Sequence, residues 1–155
     1  MTAGDPSGGP VAAADASDAT TSGSADARPP VVRVMVDSPL PQLDRLFDYA
    51  VPEALRETCV PGVRVRVPLR SAGRVADGYV VEVGDGGGYD GALSEVEQVV
   101  SPLPVLRPEI WTLAREVADR QAGTASDVIR LAVPPRQVRV EKAHLAALAA
   151  AADAD

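Results

Sequence analysis

Residues 62–69 read GVRVRVPL, a strict alternation of valine and arginine behind a glycine. A period of two belongs to an extended strand, so Val63, Val65 and Val67 share one face and Arg64 and Arg66 the other. A chain with this segment has to build a sheet that buries one face and leaves arginines on the other. Two neighbouring segments extend the requirement. Val31–Val36 (VVRVMV) is short and β-branched, and Pro39 and Pro41 end its ladder. Gly78–Val83 (GYVVEV) continues the pattern, and with the glycine-rich turn Asp85–Gly91 it predicts a hairpin-like pair. Val96–Val100 adds a further short strand before Pro102, Pro104 and Pro108 break the chain.

Beyond Pro108 the period changes. Ile110, Leu113, Ala114 and Val117 fall at i, i+3, i+4 and i+7, the spacing of an amphipathic helix, with Pro108 and Glu109 suited to its first turn. A second helix is predicted from Ser126 to Ala132, with Val128, Ile129 and Leu131 as its apolar residues and Pro134-Pro135 as its stop. Strands followed by helices define an α+β fold, and several short strands separated by turns predict a small barrel-like sheet followed by two short helices. Aromatic residues make up only 3% of the chain, so its core is built from small side chains.

The ends differ from this middle. Residues 1–30 are Ala, Asp, Ser, Gly, Thr and Pro without period, the composition of a disordered tail. Residues 137–155 have high helix propensity but run out in AAAADAD, and are expected to be a truncated helix or a second tail. One domain over residues 31–136 remains.

Several function classes fall away. No stretch approaches the roughly 20 apolar residues of a membrane span, and the N-terminus lacks the basic start and apolar run of a secretory signal, so a cytoplasmic protein without membrane contact is expected. One cysteine, Cys59, and one histidine, His144, make neither an internal disulfide nor a tetrahedral metal site. Cys59 reads as a small buried hydrophobe and His144 as a solvated helix residue. Gly86–Gly88 have no phosphate-binding lysine behind them. No catalytic residue, metal or cofactor is predicted.

Net charge is −7, which repels a phosphate backbone, but the charge is unevenly placed. Between Thr58 and Ala76 stand Arg64, Arg66, Arg70 and Arg74 and no acid. These arginines either contact phosphates or keep a polar strand face solvated. The segment 39–52, PLPQLDRLFDYAVP, holds two of the chain's five aromatics, Phe47 and Tyr49, around Asp48. The rings can anchor a core short of large side chains while Asp48 caps a turn. Alternatively, a ring offers a face to a base and the carboxylate accepts a hydrogen bond from a sugar hydroxyl. A carboxylate repels an internal phosphodiester but is satisfied by a terminal hydroxyl, so such a pocket prefers a free 3′ end. In a plain strand Asp48 would point away from both rings, so this reading needs a turn or a strand end there.

Taken in order, PLPQLDRLFDYAVP, GVRVRVPL, GYVVEV, SEVEQVV, PVLRPEIWTLAREVADRQ and DVIRLAVPP resemble the N-terminal domain of the primosomal replication-restart (PriA) family over roughly residues 31–136. The resemblance implies a β-rich domain that recognises the 3′ end of a DNA strand at stalled forks or D-loops, with single-strand-binding protein and primosome components as partners. It implies that Asp48 accepts the 3′-hydroxyl, that Phe47 and Tyr49 wall the pocket, and that the loop at Leu69, Arg70 and Ser71 borders it. Arg64, Arg66 and Arg74 are then the candidate phosphate contacts. Family members often have a glycine at Arg70 and a basic residue at Glu97, so these two positions depart from the family pattern. The family's helicase core has no counterpart motifs here, so the chain is expected to be neither ATPase nor helicase. A protein-interaction barrel that docks a replication partner without touching DNA is the alternative from another class, and a remnant without activity is a third.

Overall fold

The computed structural model describes residues 29–70, 73–84 and 91–154. The predicted N-terminal tail and the turn at 85–91 lie almost wholly outside them. Five strands form one antiparallel sheet: β1 (Val31–Val36), β2 (Leu46–Ala50), β3 (Arg64–Leu69), β4 (Arg74–Gly84) and β5 (Gln98–Ser101). Their order is β2-β1-β4-β3-β5. Three helices follow, α1 (Pro108–Gln121), α2 (Ala125–Ala132) and α3 (Val138–Asp153). The α+β class holds, with one helix more than expected, because the Ala-rich run after Gln137 forms α3.

The alternation of β3 is reproduced in its burial. Val63, Val65 and Val67 are fully buried and join Val32, Val34, Val36, Tyr49, Val51, Val80 and Val96 in a core on one face of the sheet. The opposite face carries Met35 and Tyr79, which are covered by Ala114 and Ala118 of α1 and Ala125 and Ile129 of α2. Alanines at these contacts let the helices lie close to the sheet and to each other. Cys59 lies in the inner core, and burial pushes its thiol up to about 11, so it stays protonated and packs as a small hydrophobe.

The expected barrel is not closed. The edge strand β2 is tied to the chain before β5 by one isolated bridge, Ala50 to Glu95, in which Ala50 N–H donates to Ser94 O at 2.9 Å and Val96 N–H to Ala50 O at 3.0 Å. Glu97 then turns to β3 and donates its N–H to Arg66 O at 2.9 Å. The segment before β5 is shared between two strands and pairs fully with neither, so the ladder ends there.

The expected apolar arc of α1 is also displaced. Leu113 is 54% exposed and Val117 half-buried, while the buried stripe runs through Ala114 and Ala118. In α2, Ile129 is buried and Val128 half-buried, but Leu131 is 89% exposed. On α1 the buried positions are alanines, and on α2 Ile129 fills the contact with Ala125.

Helix α3 lies mostly in solvent and buries one side chain, Glu141, whose carboxylate accepts from Arg136 Nε at 2.7 Å. Burial alone would push this carboxyl up. Hydrogen bonds from Arg136 and Ser101 and the charges of Arg136 and Arg64 outweigh that and hold it below its usual 4.5. A depressed value means that the contact stabilises α3 above pH 4.5 and is lost as the pH falls through the lower folded value. Amide protection of α3, corrected for intrinsic exchange, is expected to fall on acidification from pH 6 to about pH 3, and Glu141→Gln to remove that dependence.

Candidate nucleic-acid interface

Among the described residues two concavities on the sheet are lined by arginines, Arg45 and Arg70 in one and Arg64, Arg66 and Arg136 in the other. The larger, about 430 Å³, opens at the end of the sheet where β2 begins and β3 ends. Arg45, Phe47, Asp48 and Tyr49 form one wall, Pro68, Leu69 and Arg70 the other, and Ala92–Ser94 the far side. The groove therefore brings together Phe47, Asp48, Tyr49, Leu69 and Arg70. Ser71 lies outside the described residues.

Within it the FDY triplet is a strand, and its side chains alternate. Tyr49 points into the core, 4% exposed, and donates its hydroxyl to Pro68 O at 3.0 Å; burial pushes that hydroxyl up, so it remains a donor. This bond ties β2 to β3 directly beneath the groove. Phe47 is half-buried, with the Arg45 guanidinium 4.5 Å above its ring. Asp48 lies on the outer face, opposite Arg33 in the β1–β2 register. Arg33 Nε approaches Asp48 Oδ1 at 3.4 Å, while Arg33 Nη1 donates to Glu82 Oε1 at 2.8 Å. The condition that a plain strand turns Asp48 away from the rings thus applies. Because β2 is the sheet's edge, however, Asp48 still borders the groove across the open side of the strand.

Arg70 is not a free cation over this groove. Its Nε donates to Ser94 Oγ at 2.7 Å and its Nη2 to Ala92 O at 3.3 Å, so the guanidinium braces the far wall. Arg74 is exposed and faces Leu69 across the β3–β4 ladder, at the same end of the sheet.

Arg64 and Arg66 are not part of this groove. At about 3.3 Å per residue they lie about 20 and 13 Å up the strand from Arg70. They line the second concavity, about 230 Å³, with Asp37, Asp77, Tyr79 and Arg136. Arg66 pairs with Asp77 at 3.1 Å. Arg64 covers the Tyr79 ring at 5.6 Å and donates to Pro134 O, fastening the sheet to the linker between α2 and α3. The sequence reading missed Arg45 and Arg33. Arg45 sits in a turn with no pattern around it; Arg33 is the one polar residue of VVRVMV and falls on the outer face by the period of two, which was the available signal.

A small antiparallel sheet backed by helices, with a guanidinium-flanked groove at the sheet end and a carboxylate on its rim, defines an α+β module whose groove pairs an aromatic face with cations, the elements of a nucleic-acid interface. The sequence model of the 3′ DNA-binding domain (3′BD) of PriA matches residues 33–134, and the chain belongs to that family. Its relatives include the probable replication restart protein PriA of Mycobacterium tuberculosis (strain CDC 1551 / Oshkosh), 50% identical over 103 residues, which are 66% of this chain and 15% of that protein. The counterpart from Mycobacterium leprae (strain TN) is 47% identical over 107 residues, 69% of this chain and 16% of the relative. The replication restart protein PriA of Bacillus subtilis (strain 168) is 29% identical over 102 residues, 65% of this chain and 12% of the relative. The matched region thus spans about one seventh of the mycobacterial proteins. Among the described residues no helix is long and apolar enough to cross a membrane.

Proposed function

We propose that this chain captures the 3′-terminal nucleotide of a DNA strand in the end groove, as a non-catalytic module serving replication restart at stalled forks or D-loops. One observation carries the reading: within a domain of the PriA 3′ DNA-binding family, the residues that border the larger groove include Asp48, Phe47 and Arg70. In this reading the terminal base lies against Phe47 and Arg45. Asp48 accepts the 3′-hydroxyl, and Arg74 meets the preceding phosphate. Tyr49 and Leu69 form the floor, and Arg70 holds the far wall. Arg64 and Arg66, further along β3, reach only a longer strand. Stacking and a sugar hydroxyl are common to all nucleotides, so base preference is weak. The setting is the nucleoid of the cytoplasm, with single-strand-binding protein and primosome components nearby.

The test is fluorescence anisotropy with short single-stranded DNA ending in a 3′-hydroxyl or a 3′-phosphate at low salt. The hydroxyl end is expected to bind more tightly, and Asp48→Asn to reduce that preference about ten-fold, the worth of a hydrogen bond to a charged acceptor. Equal binding of both ends by the unaltered chain would overturn the reading.

A second reading has its own observation. Leu131 is 89% exposed and Leu113 54% exposed, which suits docking of a replication partner on the helices. Partner binding that is insensitive to salt, in a chain without DNA affinity, would favour it.

A further inference from the structure

Asp48, Arg33 and Glu82 stand side by side across three strands, β2, β1 and β4, on the outer face of the sheet. The alignment depends on a bulge. Arg33 pairs with Glu82 and Val34 with Val80, which leaves Val81 as an extra residue in β4. In an unbroken ladder Arg33 would face Val81, and Glu82 would face Val32. The bulge therefore sets a second carboxylate against the arginine that neighbours Asp48 on the rim of the groove.

Arg33 divides itself unequally between its two acids. Its contact with Glu82, 2.8 Å, has the length of a good charge-assisted hydrogen bond, and its contact with Asp48, 3.4 Å, is well beyond it. Asp48 therefore keeps most of its capacity to accept a new donor.

We propose that Glu82 is a positioning residue for the end groove: by holding Arg33 at the short distance it keeps Asp48 unneutralised, and so sets how strongly a 3′-hydroxyl is preferred over a 3′-phosphate. This rests on the reading of Asp48 given above. Without Glu82, Arg33 closes on Asp48, occupies its carboxylate oxygens and offsets its charge. The hydroxyl then loses its acceptor and the phosphate loses its repulsion. The ladder is roughly half-exposed, so the effect is modest and screened by salt.

The experiment compares 3′-hydroxyl and 3′-phosphate oligonucleotides at low salt for the unaltered chain, Glu82→Gln, Arg33→Gln, the double variant and Asp48→Asn, with thermal melts to confirm folding. Glutamine keeps the shape of Glu82 and, in place of Arg33, removes the charge while leaving a polar side chain. Glu82→Gln is expected to shrink the preference about three-fold and Arg33→Gln to enlarge it by a similar factor. In the Arg33→Gln background, Glu82→Gln is expected to do nothing. If Glu82→Gln still shrinks the preference without Arg33, its charge acts through space and the proposal fails. If Asp48→Asn abolishes the preference while Glu82→Gln leaves it intact, the proposal fails and the end-capture reading survives. If Asp48→Asn changes nothing, both fall.

Discussion

Gly62→Ala is expected to cost about 3 to 4 kcal/mol, lowering the melting temperature by roughly 15 to 20 °C in a domain of this size. Two independent faults combine at this position. Gly62 has φ +93°, beyond the left-handed region that an L-residue reaches at moderate cost. A Cβ there would also lie 2.7 Å from Leu106 O, a backbone atom that cannot swing aside. That backbone is held in place by Gly62 itself, whose carbonyl accepts from Val105 N–H at 2.9 Å and Leu106 N–H at 3.1 Å. Gly62 N–H in turn donates to Val80 O at 2.7 Å. The three bonds join the start of β3, the middle of β4 and the approach to α1. Gly73→Ala is the control. It too has a positive φ, +59°, but nothing lies within 4 Å of its added Cβ, so about 1 kcal/mol is expected. Denaturant melts of both variants check the argument; equal losses would mean that the contact with Leu106 carries no weight.

Local pattern was legible in the sequence where one strand or one helix decided the outcome. The alternation of GVRVRVPL is enough to bury Val63, Val65 and Val67, and Pro108 is enough to begin α1. Outcomes that depend on a distant segment were not legible. Arg64 and Arg66 look alike beside Arg70 in sequence, yet Arg64 is committed to Pro134, 70 residues away, and Arg66 to Asp77. Leu113 and Ala114 both fit a helical apolar face, and only the docking of α1 against the sheet and α2 decides that the alanine is buried. Closure of a barrel depends on what the segment before β5 pairs with, which local patterning does not encode.

The groove shows the same division. Phe47, Asp48 and Tyr49 stood out because aromatics are scarce and a carboxylate between them is unusual. Period two correctly anticipates that a strand turns Asp48 away from the rings. It cannot reveal that this strand is the sheet's edge, where the outer face and the groove meet at one rim, nor that Arg33 and Glu82 lie alongside.

Asp44→Ala is expected to cost about 3 kcal/mol and to weaken DNA binding with it, because it removes a largely buried carboxylate that serves two partners. The Asp44 side chain is 11% exposed. Its Oδ1 accepts from Ala125 N–H at 2.9 Å, in the first turn of α2, and its Oδ2 accepts from Arg115 Nη2 of α1 at 2.9 Å. The helix terminus gains a negative charge where its unpaired N–H groups point, beside the cap supplied by Thr124 to Asp127 N–H. Asp44 immediately precedes Arg45 and β2, so the same carboxylate that clamps the two helices fixes the strand bearing Phe47 and Asp48. Its removal leaves Ala125 N–H and Arg115 short of a partner, although Asp119 retains part of Arg115 at 2.7 Å. Asp44→Asn separates the two roles, since an amide oxygen still accepts from Ala125 N–H but no longer carries charge for Arg115; about 1 kcal/mol is expected. Melts of the two variants, followed by anisotropy with a 3′-hydroxyl oligonucleotide at a temperature where both are folded, check the coupling. Full affinity in folded Asp44→Ala would mean that the groove is held by the sheet alone, through Tyr49 and Pro68, and that the helices serve stability without shaping the site.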